Sequence, residues 1–333
     1  MRSKVISSSK MRQSTLESFD SLLKEVAEVR FLHPWTTDEF LEEVKDAQAL
    51  IAFHESVDQE LLDQAPKLKI VSRFGVGYDK VDVEACTARG VYVTYTPGVL
   101  SRAVAELTIA LMLSLSRRIP VADRYVRTEW GKPGTPLLPL RHDVAGKTLG
   151  IIGLGRIGYE VARRAKAFDM KIVYYDPVRN KNAEEDPKIQ HRALDDLLKT
   201  SDFVTVHVPL TPETTHLIGK KELRLMKKTA YLINTSRGPV VDEKALGRAL
   251  KESWIAGAGL DVFTQEPLPL DSPLIELENV VLTPHMGTHT VETRRLMISA
   301  IVEDIKRALA GEVPLNLVPE QRGKVFETKP KPP

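Results

Sequence analysis

One cysteine stands among 333 residues. Cys86 can form no intramolecular disulfide, so no disulfide framework holds this chain, and a reducing compartment suits it. It lies in Val81-Asp82-Val83-Glu84-Ala85-Cys86, where helical spacing buries it, and a core cysteine is expected rather than a reactive thiol. Net charge is equally scarce: the formal value is +2, with Lys and Arg interleaved among Asp and Glu. That balance argues against a polyanion-binding surface, and no nucleic-acid partner is expected. No apolar run reaches the roughly 18 to 20 residues a membrane helix needs, and no charged-then-apolar leader opens the chain. Cytoplasmic placement without a membrane partner is the expectation.

What the chain does have is a soluble globular composition, 42% hydrophobic and 28% charged, in a length that suits about two domains. Short apolar runs alternate with amphipathic stretches, the signature of parallel sheets wrapped by helices. In the first part, strands are expected near 4–6, 28–31, 49–53, 68–72 and 91–94, with helices near 14–26, 36–44, 57–64 and 81–89. Pro97 and Gly98 mark a chain break and a crossing between domains. The helix expected over 102–116 is apolar almost all round and must be buried on several sides. Residues 117–143 then read as a long excursion loop. Alternation resumes with strands near 148–152, 171–175, 203–207, 230–234, 256–262 and 280–282. Helices are expected near 156–168, 193–199, 220–226, 242–252 and 291–310, and the Lys- and Pro-rich tail 327–333 reads as disordered. The fold class is therefore α/β, with two doubly wound parallel-sheet domains.

The stretch from Gly150 to Gly158 organises the second unit. An apolar strand enters a turn with Gly153, Gly155 and Gly158, and a helical pattern follows at once. Gly153 suits the tight turn, Gly155 a close approach of backbone to a pyrophosphate, and Gly158 close packing of helix on sheet. Backbone amides at the helix start then face the anion. Asp176 ends the next strand 18 residues beyond Gly158, where a ribose partner belongs. NAD is the expected cofactor, with Arg179 close behind Asp176; no metal is expected.

Several polar residues leave strand ends of this unit, the rim where such folds bind ligands. Arg237 follows one strand, Asp261 and Glu266 follow the next, and His285 follows the last. Arginine can grip a carboxylate with two parallel hydrogen bonds. Histidine exchanges a proton near neutral pH, and a glutamate on its other ring nitrogen fixes the tautomer and favours the protonated form. Singly, each has an ordinary structural reading; together, at successive strand ends, they suit carbonyl reduction.

These residues carry a family resemblance. The chain resembles the D-2-hydroxyacid dehydrogenases over residues 49–318, through Arg73-Phe74-Gly75-Val76-Gly77-Tyr78-Asp79, Val104-Ala105-Glu106-Leu107-Thr108, the glycine turn, His207-Val208-Pro209-Leu210-Thr211-Pro212, Asn234-Thr235-Ser236-Arg237-Gly238, Gly259-Leu260-Asp261-Val262-Phe263 and Pro284-His285-Met286-Gly287. The resemblance implies a flavodoxin-like substrate domain from 1–98 and 291–333, with a Rossmann NAD-binding domain over 99–290. It implies a homodimer formed largely through the cofactor domain. It casts His285 as acid/base, Glu266 as its partner, Arg237 as substrate anchor, and the amides of Val76 and Gly77 as a carboxylate cradle. Gly153, Gly155, Arg156, Ile157, Gly158, Asp176, Val208, Thr235, Asp261 and Gly287 match the cofactor contacts. His289 departs from the pattern, since the family often has a small residue there.

The implied substrate is a small 2-keto or 2-hydroxy acid such as glyoxylate or hydroxypyruvate. Phosphoglycerate is the runner-up: phosphoglycerate dehydrogenases commonly place an arginine where this chain reads Phe53-His54-Glu55-Ser56, and an acidic Glu55 would not welcome a phosphate. Glu266 argues against the formate dehydrogenases, which pair their histidine with glutamine. An NAD-sensing corepressor-like protein is the alternative from another class.

Overall fold

The computed structural model describes residues 2–8, 11–186 and 189–324. In chain order the elements are β1 (Ser3–Ser8), α1 (Gln13–Leu23), β2 (Ala27–Leu32), α2 (Asp38–Val44), β3 (Ala49–Ala52), α3 (Gln59–Gln64), β4 (Ile70–Arg73), α4 (Val83–Ala88) and β5 (Tyr92–Thr94). There follow α5 (Ser101–Arg117), α6 (Ile119–Thr128), β6 (Thr148–Ile152), α7 (Arg156–Lys166), β7 (Lys171–Tyr175), α8 (Lys181–Glu184), β8 (Ile189–His191), α9 (Leu194–Thr200) and β9 (Phe203–Val206). The last are α10 (Lys220–Leu225), β10 (Tyr231–Asn234), α11 (Glu243–Lys251), β11 (Gly257–Leu260), β12 (Val280–Leu282) and α12 (Val291–Ala310).

The chain gathers into two compact units, one of Met1–Leu100 with His289–Pro333 and one of Ser101–Thr288. The first is a five-stranded sheet in the order β2-β1-β3-β4-β5, parallel throughout, which is the flavodoxin-like order. The second has seven strands in the order β12-β11-β10-β9-β6-β7-β8, again parallel, with the order reversing about β6 as in a Rossmann sheet. Parallel strands covered on both faces read as continuous apolar runs, and all four residues of β3 and of β9 are buried.

Local chemistry sets the helix ends. Asp58, Asp82 and Asp242 each accept a bond from the amide three residues on, capping α3, α4 and α11. Thr290 caps α12 in the same way. Gly311, at φ +83°, ends α12 in the left-handed region that favours glycine. Cys86 is fully buried, and burial pushes its thiol up to about 12. Helix α5 lies against α7, β10 and β11, which buries most of its apolar residues, while Leu107 and Leu113 stay half-buried and Ala110 exposed.

Three elements depart from the expected pattern. Residues 119–128, expected as loop, form α6, whose apolar residues recur at helical spacing although none of its side chains is fully buried. Strand β8 and the four-residue α8 are additions to the expected set, being too short to show a period. The strand expected over 203–207 stops at Val206, and that over 256–262 spans only Gly257–Leu260. The tail 327–333 lies outside the described residues.

Candidate active site

The glycine turn divides three jobs among three residues. Gly153 has φ +92°, and a side chain there would meet the backbone of His207 at 2.9 Å. A Cβ on Gly158 would lie 2.1 Å from the Gly153 carbonyl oxygen, so only glycine lets α7 pack this close. Gly155 is the opposite: a Cβ would meet nothing within 4 Å. The space in front of Gly155 belongs to no protein atom, which fits a ligand's pyrophosphate approaching the α7 N-terminus at Arg156 and Ile157. At the end of β7 the Asp176 carboxylate accepts the Leu154 amide at 3.0 Å and the Val178 amide at 3.0 Å. It is thus fixed against the turn, and a carboxylate's four lone-pair sites leave room for ribose hydroxyls. Val208 packs beside Gly153. The residues present fit a dinucleotide.

The next strand ends carry the reactive groups. After β10, Asn234 is buried and ties its own loop: Oδ1 accepts the Ser236 amide at 3.0 Å, and Nδ2 donates to the Arg237 carbonyl at 2.9 Å. The Arg237 guanidinium donates to the Ser236 carbonyl at 2.8 Å. Gly238 then passes so close to the next loop that a Cβ would lie 2.0 Å from the Phe263 carbonyl carbon. The loops bearing Arg237 and Glu266 are thereby packed together. Glu266 Oε1 accepts the Phe263 amide at 3.1 Å, and Oε2 lies 2.7 Å from His285 Nδ1.

Asp261 builds the loop that carries the histidine. Its carboxylate, 1% exposed, accepts the Thr283 hydroxyl at 2.6 Å and the amides of Met286 at 2.8 Å and Gly287 at 2.9 Å. Burial pushes its carboxyl above the usual carboxylate range, and those bonds pull only partly back. The Asp261 carbonyl accepts the His285 amide at 2.8 Å. His285 itself has φ +49°, a conformation costing an L-residue of order 1 kcal/mol and held only by such anchors. The sequence flagged Asp261 and Gly287 as cofactor contacts; the structure shows them bonded to each other in support of His285. Thr235 is likewise engaged, its hydroxyl 2.9 Å from that of Thr108 on α5.

In the first unit, Gly75 has φ +152° and its carbonyl accepts the Thr96 amide at 2.9 Å. Arg73 steadies the same turn by donating to the carbonyls of Ala52 at 3.2 Å and Phe74 at 3.0 Å. Among the described residues, the amides of Val76 and Gly77 meet no acceptor. Glu55 folds back onto its own loop. Its side chain is 6% exposed and turned inward, with Oε2 accepting the amides of Phe53 at 2.7 Å and His54 at 2.9 Å. Burial raises its carboxyl, but bonds from Ser8 and these amides outweigh it and hold it below the usual range. Glu55 is a strut of its loop, its carboxylate directed onto backbone amides rather than into solvent.

Sequence reasoning missed Asn234 and Thr283 as site-building residues. An Asn directly after a strand, followed by Thr-Ser-Arg-Gly, is the available signal for the first, since Asn side chains fold onto the backbone two residues on. Nothing in the sequence marks the direction of Thr283 or of Glu55.

Residues 109–287 match the family model described as D-isomer specific 2-hydroxyacid dehydrogenase, NAD binding domain. The chain is 52% identical over 287 residues to a glyoxylate reductase of Korarchaeum cryptofilum, covering 86% of each. Among solved structures it is similar to the D-lactate dehydrogenase of Aquifex aeolicus complexed with NAD and lactic acid, at TM-score 0.85 and 32% identity, covering 94% of this chain and 98% of that one. It is equally similar to the NADPH-dependent glyoxylate/hydroxypyruvate reductase of Sinorhizobium meliloti in complex with NADP and malonate, at TM-score 0.86 and 33% identity, covering 99% of both. The chain belongs to the D-isomer-specific 2-hydroxyacid dehydrogenases.

Proposed function

We propose that this protein is an NAD-dependent reductase of small 2-keto acids, with glyoxylate the favoured substrate. The observation that carries the reading is the joining of the Arg237, Glu266 and His285 loops at successive strand ends of the sheet that also bears the glycine turn, where a Cβ on Gly155 would meet no protein atom. In this reading the second unit is the cofactor domain and the first the substrate domain. Bound at the glycine turn, the dinucleotide supplies the hydride.

The remaining work falls to side chains. Glu266 accepts the Nδ1 proton of His285, which fixes the ring and leaves the Nε2 proton to be given to the carbonyl oxygen as charge develops there. The Arg237 guanidinium orients the acid's carboxylate through paired hydrogen bonds. Within the first unit, the amides of Val76 and Gly77, which meet no acceptor among the described residues, suit a carboxylate. Oxidation of the hydroxy acid uses the same groups with the proton travelling to His285. Arg156, Ile157 and Asp176 hold pyrophosphate and ribose, with Val208, Thr235, Asp261 and Gly287 completing the cofactor contacts.

The substrate rests on the relatives' names rather than on Glu55, whose charge is turned away. A panel of glyoxylate, hydroxypyruvate and phosphohydroxypyruvate with NADH tests it. Glyoxylate is expected to give the highest kcat/KM. A phosphorylated acid in first place makes the protein a phosphoglycerate-type enzyme, and tight NADH binding without turnover of any keto acid makes it a sensor.

A homodimer through the cofactor unit is part of the same proposal. Helix α6 buries no residue, and Ile119, Val126, Trp130, Leu137 and Leu140 are all exposed, Leu140 at 97%. Exposed apolar groups concentrated in one stretch of the chain suit an association surface. Light scattering at about twice the 37.2 kDa chain mass is the expected result. No helix among the described residues is long and apolar enough to cross a membrane, and the buried thiol of Cys86 suits the cytoplasm.

A further inference from the structure

Two neighbours equally similar to this chain carry NAD in one case and NADP in the other, so the fold alone does not set the choice. The residues behind Asp176 do. An arginine three positions after that carboxylate is well placed to pair with a 2′-phosphate and so to admit NADP. Arg179 is held in place by its neighbours. The Val178 amide donates to Asp176 Oδ1 at 3.0 Å, and Asn180 Nδ2 donates to the Leu154 carbonyl at 3.3 Å, so one flanking residue is tied to Asp176 and the other to the glycine turn.

The guanidinium is engaged elsewhere. Arg179 Nε donates to Glu184 Oε1 at 3.1 Å, and its terminal nitrogen pairs with Oε2 of the same carboxylate. This is the bidentate arrangement that uses an arginine's planar fork most fully. Glu184 is in turn anchored by the buried Tyr174 hydroxyl, which donates to Oε1 and accepts the Asn180 amide at 2.9 Å. The clamp is therefore built from the sheet outward: Tyr174 on β7 fixes Glu184, and Glu184 fixes Arg179.

We propose that Glu184 is a specificity-positioning residue, which favours NADH over NADPH by holding the Arg179 guanidinium on its own carboxylate and away from the adenosine ribose. The proposal rests on the cofactor reading above. Asp176 repels a 2′-phosphate directly, and the Tyr174–Glu184–Arg179 clamp withholds a nearby cation that would compensate. Removing the carboxylate leaves the loop anchored and releases the arginine.

Glyoxylate reduction with NADH and with NADPH tests this in the wild type, Glu184→Gln, Arg179→Ala and the double variant. The expected result for Glu184→Gln is a rise of about tenfold in the NADPH-to-NADH ratio of kcat/KM, the size of one gained charge-assisted contact. Arg179→Ala alone is expected to leave the ratio within about twofold, because its guanidinium is already occupied, and the double variant to lose the gain. NADH kinetics and the melting temperature serve as controls for a merely structural effect. An unchanged ratio in Glu184→Gln, a gain that survives in the double variant, or a marked fall in Arg179→Ala alone would overturn the proposal. Should Glu184→Gln fail to fold, the Arg179→Ala arm still decides, since a severalfold fall in its ratio means the arginine already reaches the phosphate. Failure of wild type to reduce glyoxylate with either cofactor is a separate result, and it strikes the functional reading.

Discussion

His285 Nδ1 lies 2.7 Å from Glu266 Oε2, while the other oxygen of Glu266 accepts the Phe263 amide at 3.1 Å. The carboxylate is thus fixed by backbone before it meets the ring, and the ring's orientation is inherited from the chain. Glu266→Gln keeps the Phe263 bond and loses the charge. We expect kcat to fall by about tenfold or more, within the roughly 10²- to 10⁴-fold range that a positioned acid supplies, with NADH affinity unchanged. Steady-state kinetics beside a fluorescence titration of NADH checks both halves.

Asp261 is the buried centre of the histidine loop. In Asp261→Asn one oxygen becomes an amide nitrogen facing donors from Thr283, Met286 or Gly287, and an unmet buried donor costs about 1–3 kcal/mol. A lowered melting temperature together with a lowered kcat is expected. Loss of stability with full activity would show that His285 holds its place without this anchor.

Gly155 and Gly158 separate binding from folding. Ala at 158 must displace the Gly153 carbonyl, and overpacking of this kind costs about 1–3 kcal/mol. Ala at 155 meets no protein atom, so the stability of Gly155→Ala should stay within about 1 kcal/mol while NADH binding weakens. Denaturation and NADH titration of the two variants are expected to show one losing both properties and the other losing binding alone.

His207 makes stability depend on acid. Both ring nitrogens are out of solvent and without a partner among the described residues, and burial lowers the imidazole to about 3. The unfolded chain takes up that proton below the ordinary histidine value of about 6.5, whereas the folded one waits until about 3. The unfolded state therefore binds more protons in that window, and stability falls by up to ~1.4 kcal/mol per unit as pH drops through it. His207→Leu should flatten the part between about pH 6.5 and 4.5, above most carboxylate titrations. An unchanged slope in urea melts across that range would remove His207 as the cause.

Much of this was legible in the residues. The three glycines, Asp176 and the trio of Arg237, Glu266 and His285 stand at strand ends because apolar runs announce the strands, and residues just beyond a parallel strand lie on the rim. Directions were not legible. Glu55 and Asp261 are carboxylates in loops, and sequence says nothing of whether such a group faces a ligand or folds back onto amides; both fold back. Arg179 posed the same question, and Glu184, five residues on, answers it only in three dimensions. Helix α6 has helical apolar spacing, but it lies in a stretch of basic residues, Gly and Pro that reads as loop, and it fully buries none of its side chains.

The central claim is that His285 gives the proton that accompanies hydride transfer. A single-turnover experiment tests it: enzyme preloaded with NADH is mixed with glyoxylate, and the loss of NADH fluorescence is followed in wild type and in His285→Gln. NADH is expected to bind both proteins alike, and the transfer rate to fall by about 10²- to 10⁴-fold in the variant. A variant that transfers hydride at a rate near wild type would contradict the claim.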